Sequence, residues 1–176
     1  MDETPAVTAL RGVLADAFDR VAERVAGVAA DLSIADAVWR PDPEANSIAW
    51  LLWHLTRVQD DHVADLAGTE QVWTSEGFVD RFGLPFPPDA HGYGHTSEDV
   101  GQVRVAPAEL VEYHRAVRAA TDRYLATVTA AELERVVDTS WDPPVTAAVR
   151  LVSVIDDCAE HIGQAAYVKG LLERRA

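Results

Sequence analysis

Cysteine is almost absent. Cys158 stands alone, so no internal disulfide can staple the fold, and the composition fits a reducing compartment. Positive charge is scarce too: 15 Lys and Arg against 29 Asp and Glu leave a formal net charge of −14. Such a field repels phosphate backbones and anionic lipid, and no local basic patch offsets it, which argues against nucleic-acid and membrane partners. No apolar run reaches the length of a bilayer span before a charge interrupts it. The opening Met-Asp-Glu-Thr-Pro lacks the basic region and apolar core of a secretory signal, so a cytoplasmic location is expected. No internal repeat and no low-complexity tract is evident. What remains is an ordinary globular composition, 48% hydrophobic and 25% charged over 176 residues. A chain of this size suits one domain over residues 1–176 and can bury roughly 70% of its unfolded surface.

Periodicity then assigns the helices. Thr4 as N-cap and Pro5 at the first turn start a helix whose seam is Val7, Leu10, Leu14, Val21, Val25 and Val28, with Ala17 and Phe18 filling the gap. Pro41 and Pro43 rule out continuous helix over residues 33–44, and Trp39 in that connection reads as a plug over the bundle end. Asn46 or Ser47 caps a second helix that runs to Gly68, with Ile48, Leu51, Leu55, Val58, His62 and Leu66 on its seam. At the seam's centre, His62 reads as a core histidine.

Residues 69–107 hold much of the proline, glycine and aromatic punctuation, and a connection that long usually has a task such as covering a pocket. Trp73 to Arg81 suggests a short helix within it, and Thr96 with Asp99 resembles a capping box. A third long helix follows Pro107, with Leu110, Tyr113, Val117, Tyr124 and Val128 on its seam; Thr129 and Glu132 suggest a further short turn. The last runs from Val145 to Leu172, its stripe read as Leu151, Val152, Ile155, Cys158, Ile162 and Ala166. Four long helices without a convincing strand make an all-α fold, a four-helix bundle. Its long connection between helices 2 and 3 leaves room for those two to run parallel.

Within that frame Asp157 and His161 (i, i+4) and Gln164 (i+3 from His161) share one side of the last helix. On spacing alone such a pair is more often solvated decoration. Bundles, however, build metal sites from facing helices, and His54 on the second helix supplies a partner. His54, Asp157 and His161 give two nitrogens and a carboxylate with a position open for water or substrate, the arrangement of catalytic zinc, and Gln164 can orient a ligand from behind. Arg57, one turn beyond His54, is read either as receiving a carboxylate at the pocket mouth or as a surface arginine paired with Asp61. His91 and His95 invite a metal reading but sit on a glycine-rich loop without a rigid scaffold, and Cys158, on the apolar stripe, reads as core.

The stretches Ile48-Ala49-Trp50-Leu51-Leu52-Trp53-His54-Leu55 and Asp157-Cys158-Ala159-Glu160-His161-Ile162-Gly163-Gln164 resemble those of the DinB-like superfamily of metal-binding four-helix bundles. Within it the likeness is to the actinobacterial thiol-dependent branch that includes mycothiol-dependent maleylpyruvate isomerase, and it covers the whole chain in helix order. Most of the superfamily has histidine where this chain has Asp157; the mycothiol-dependent isomerase has an acidic residue there. The resemblance implies a divalent metal, zinc foremost, at His54, Asp157 and His161, with mycothiol as thiol cosubstrate. A thiol transferase or isomerase would follow, in which a coordinated thiolate attacks a small electrophile, with Arg57 and Gln164 assisting. A free thiol near pKa 8.5 is mostly protonated at neutral pH, whereas a coordinated one is not, which is why the chemistry needs the metal. A non-catalytic metal- or ligand-binding bundle in a stress or regulatory role stays open beside it, as does a structural bundle that forms a homodimer.

Overall fold

The computed structural model describes residues 5–175, so the cap expected at Thr4 lies outside the described residues. Four long helices are present: α1 (Pro5–Ala29), α3 (Ile48–Ala67), α7 (Pro107–Leu125) and α9 (Ala147–Glu173). Short ones fill the connections: α2 (Ile34–Ala37), α4 (Val72–Ser75), α5 (Phe78–Phe82), α6 (Ser97–Gln102) and α8 (Ala130–Glu134). Contrary to the expectation of no strand, residues 136–146 form a small antiparallel hairpin, β1 (Val136–Asp138) with β2 (Val145–Thr146). The last helix therefore begins at Ala147, where Thr146 caps by accepting from the Val149 amide. Among the described residues no helix is long and apolar enough to cross a membrane.

Local chemistry explains most boundaries. Ser47 accepts from the Trp50 amide to open α3, and Gly68 closes it at φ 65°, the left-handed conformation a glycine adopts without steric cost. Thr96 and Asp99 form a reciprocal capping box on α6. Pro107 occupies the first turn of α7, where its missing amide hydrogen costs nothing.

Helix α3 packs against α7 and α9, and α1 packs against the same two, so α1 and α3 lie on the bundle's diagonal. Tyr113 reaches Asp60, and further along both helices Tyr124 and Leu66 line one surface pocket, so α3 and α7 run parallel as the long connection allows. Against α9 the direction reverses: Leu51 shares a pocket with Val168, while Cys158 lies on Leu55 and Gln59. This position leaves α3 buried over most of its circumference, including Thr56, Arg57, Gln59 and Asp60.

The stripe of α9 differs from the expected one. Leu151, Val154, Cys158, Ile162, Ala165 and Val168 are buried, whereas Val152 is 62% exposed and Ala166 faces outward. The helix is thus rolled toward Val154 and Ala165. That roll sets Asp157 and His161 beside buried Cys158 and Ile162, half-buried at the edge of α3. Trp39 packs partly buried against the core, with Arg175 over its ring.

Candidate metal centre

A cleft of about 500 Å³ opens between α3, α9 and the loop of residues 91–95. His54 projects into it from the first half of α3, where Trp50, one turn earlier, stacks on its ring at 4.7 Å between centroids. From α9, Asp157 and His161 approach, and the rings of His54 and His161 meet edge to face, also at 4.7 Å. One ligand atom from each of His54, Asp157 and His161 falls within a 4.8 Å set, the only such group of three or more among the described residues.

The hydrogen bonds decide which ring nitrogens are free. His54 Nδ1 meets the backbone carbonyl of His91. A carbonyl only accepts, so Nδ1 carries the hydrogen and Nε2 keeps its lone pair. His161 Nδ1 lies 3.2 Å from Gln164 Oε1, which accepts its hydrogen and likewise leaves Nε2 with its lone pair, 3.5 Å from Asp157 Oδ1. Two ligands held about 2.1 Å from a tetrahedral ion stand about 3.4 Å apart, so this spacing suits one. Asp157 Oδ2 is buried without any hydrogen-bond partner. A buried carboxylate oxygen without a donor is costly unless a cation answers it. Two free imidazole nitrogens, an orphaned carboxylate oxygen and outer groups that fix both rings are what a divalent ion requires of its protein.

The two imidazoles titrate in opposite directions. Burial lowers His54 below its ordinary value, opposed by the His91 carbonyl, so it is neutral at pH 7. The Asp157 carboxylate raises His161 against a smaller effect of burial. The difference follows from placement: Asp157 is a turn away on the same helix as His161, while His54 sits beneath the loop. Cys158 is fully buried and donates toward the Leu55 carbonyl; burial pushes its thiol far up, so it is core, as read from the sequence.

The loop of residues 69–107 does cover the site. Gly92 passes directly over His54 with φ 101°, and a Cβ there would lie 2.7 Å from His54 Nδ1. His91 and His95 line the cleft outside the ligand cluster. Each instead accepts at Nδ1, His91 from the Tyr93 amide and His95 from Trp50 Nε1.

Arg57 does not reach the cleft, and neither reading of it stands. Its side chain is fully buried and donates to the carbonyl of Ala90, to Gln71 Oε1 and to Tyr113 Oη, with Asp60 rather than Asp61 as its ionic partner at 3.6 Å. The burial of α3 explains this: at Arg57 the helix turns toward α7 and the overlying loop, not toward solvent. His62 is corrected the other way. It is half-buried and lines the cleft, with Asp61 Oδ2 3.7 Å from its Nδ1. Its spacing from His54 is visible in the sequence; the cleft's extent along α3 is not.

A family profile described as mycothiol-S-transferase matches residues 9–173. The chain belongs to the mycothiol-S-transferase family. A crystal structure described as a conserved protein from Enterococcus faecalis is similar at 34% identity and a TM-score of 0.87, covering 93% of this chain and 97% of that one. No curated protein matches the chain. The fold is accordingly the all-α, DinB-like bundle of this family.

Proposed function

We propose that the chain is a divalent-metal-dependent thiol S-transferase that joins mycothiol to a small electrophile, with His54, Asp157 and His161 as metal ligands and zinc as the ion. The observation that carries this reading is the clustering of His54, Asp157 and His161 within 4.8 Å, both histidines held by their Nδ1 contacts so that Nε2 keeps its lone pair, beside an Asp157 whose Oδ2 is buried without a partner. Membership of the mycothiol-S-transferase family supports the thiol's identity. When bound, a divalent ion supplies the positive charge that keeps a thiol sulfur deprotonated at neutral pH.

The chain's own residues do the rest. The His91 carbonyl and Gln164 hold the rings of His54 and His161 in the tautomer that presents Nε2. Trp50 fixes the plane of His54 by stacking and, through Nε1, ties His95 of the loop to the same helix. Burial keeps His54 neutral, so one ligand needs no deprotonation before use. His54, Asp157 and His161 would hold the ion as three ligands and would leave room for the thiol beside them, and the cleft of about 500 Å³ accommodates its reaction partner.

The test is elemental analysis of protein purified without a histidine tag, paired with an assay of mycothiol consumption against a haloaromatic or activated alkene. The expected result is about one divalent ion per chain, metal-dependent conjugation, and loss of both in His161→Ala. Stoichiometric metal in His161→Ala removes the ligand assignment, and a metal-loaded wild type inert to mycothiol removes the transferase.

A further inference from the structure

Deprotonating a thiol leaves a proton to be placed, and the metal cluster has no group free to take it. Its three residues are committed as ligands, and the loop histidines each use Nδ1 to accept from an N–H donor. One other imidazole lines the cleft. His62 lies on α3 eight residues past His54, about 12 Å along the helix axis.

What stands behind His62 is a fixed carboxylate. Arg57 can only donate, so the Gln71 oxygen faces it at 2.8 Å and the Gln71 amide nitrogen must point away; it donates to Asp61 Oδ1 at 2.6 Å. With Oδ1 held, Oδ2 is left toward His62 Nδ1 at 3.7 Å. Arg57 is in turn anchored by Tyr113 and the Ala90 carbonyl, so the chain Arg57, Gln71, Asp61 is built from the core outward to the cleft wall. A carboxylate facing Nδ1 favours the tautomer with hydrogen there, which leaves the Nε2 lone pair available. Base, orienting carboxylate and a buried support for that carboxylate form a recurring arrangement of acid–base sites.

Resting on the thiol-transfer reading, we infer that His62 is the proton-exchange residue of this cleft, with Asp61 and Gln71 as positioning residues. His62 Nε2 accepts the thiol proton through solvent in the cleft, since about 12 Å along the helix separates it from His54. The sulfur electron pair forms the bond to the electrophilic carbon, and the pair of the bond broken there moves to its other atom. That atom takes the proton back from His62, so sulfur is alkylated, nothing is oxidised or reduced, and the imidazole returns to its neutral state. The charged and titratable groups about His62 are Asp61 on α3, Arg150 and Asp157 on α9, and His91 on the loop; Asp138 of β1 holds Arg150 at 3.1 Å. Burial first, then Arg150, keeps His62 below its ordinary value, consistent with a base that is unprotonated at pH 7.

The experiment compares wild type with His62→Gln and Asp61→Asn, all loaded with zinc. His62→Gln is expected to keep its zinc content and thiol KM but lose about 100-fold in kcat, to lose the acidic limb of the pH profile, and to recover rate with added imidazole. Nitrogen NMR of labelled protein is expected to find the Nδ1-protonated tautomer of His62 in wild type and a lowered titration point in Asp61→Asn. An active wild type with unchanged kcat in His62→Gln, or a loss that imidazole does not restore, overturns the inference, as does an Nε2-protonated His62. A wild type inert to thiols overturns the transferase reading instead and takes this inference with it.

Discussion

Replacing Gly92 by alanine should damage the metal centre without touching a ligand. Gly92 has φ 101°, and a Cβ on it would meet His54 Nδ1 at 2.7 Å, Trp50 Cζ2 at 3.1 Å and Trp53 Cζ3 at 3.2 Å. The first contact is too short to persist, and none of the three neighbours can yield freely: both tryptophans are buried and His54 is stacked on Trp50. The loop must lift, and with it the His91 carbonyl that fixes the His54 tautomer. Loss of such a support costs 10- to 100-fold in metal affinity, or about 1.4–2.7 kcal/mol. Backbone strain adds about 1–3 kcal/mol to the cost of folding, which for a chain of this size is a Tm lower by about 2–12 °C. Gly94→Ala is the control, because Gly94 also has positive φ (75°) but a Cβ there would have no neighbour within 4 Å. It should share the thermal loss and keep its affinity. Competition with a chromogenic chelator measures affinity, and circular dichroism of metal-free protein measures Tm. Wild-type affinity in Gly92→Ala would refute the claim that this loop holds His54.

Three further outcomes are expected. Asp157→Asn should weaken zinc binding at least 10-fold in the chelator titration, since the partnerless Oδ2 loses its charge, whereas Asp157→His should preserve binding; equal affinity in Asn and wild type removes Asp157 as a ligand. Arg57→Ala should cost about 3–5 kcal/mol in urea unfolding, because Asp60 is left buried beside an empty site; a loss under about 1 kcal/mol would contradict the buried pair. Burial pushes His114 down from 6.5 to about 4, so its contribution to stability is complete above pH 6.5 and is lost as pH falls toward 4, to a total of about 3 kcal/mol; His114→Leu should flatten that stretch of the stability curve, and an unchanged slope would count against it.

How far the sequence can be read depends on the range of the interaction. Ser47, Gly68 and the Thr96–Asp99 box act within a turn, and each appears in the structure where its chemistry places it. The convergence of His54, Asp157 and His161 is legible because helical spacing and the facing of two helices suffice to bring them together. Arg57 is misplaced by sequence reasoning because its partners, Gln71, Ala90 and Tyr113, lie 14, 33 and 56 residues away. Nor could amphipathic spacing place it: α3, wedged between two others, is open only along the stripe of Val58, Asp61, His62 and Asp65, and only packing shows that Arg57 lies off that stripe. The stripe on α9 is drawn through Val152 instead of Val154 for a related reason, since both are valines and only packing against α1 and α3 distinguishes them. The carbonyl of His91 leaves no signal at all, because every residue has one.

With Arg57 withdrawn into the core, the electrostatics of the cleft change sign relative to the expectation that placed a cation at its mouth. No lysine or arginine is among the residues that line it, while Asp61 and Asp157 both do. In a chain of net charge −14, such a cleft attracts a divalent cation and repels an anion. One divalent ion beside two carboxylates brings the formal charge of the lining to zero. An anionic electrophile then gains no attraction from fixed protein charge, whereas a neutral one loses nothing by entering. The buried arginine keeps an indirect part in this balance, since through Gln71 it holds the Asp61 carboxylate in the cleft wall. Its charge serves to position an anion of the protein rather than to capture one from solution.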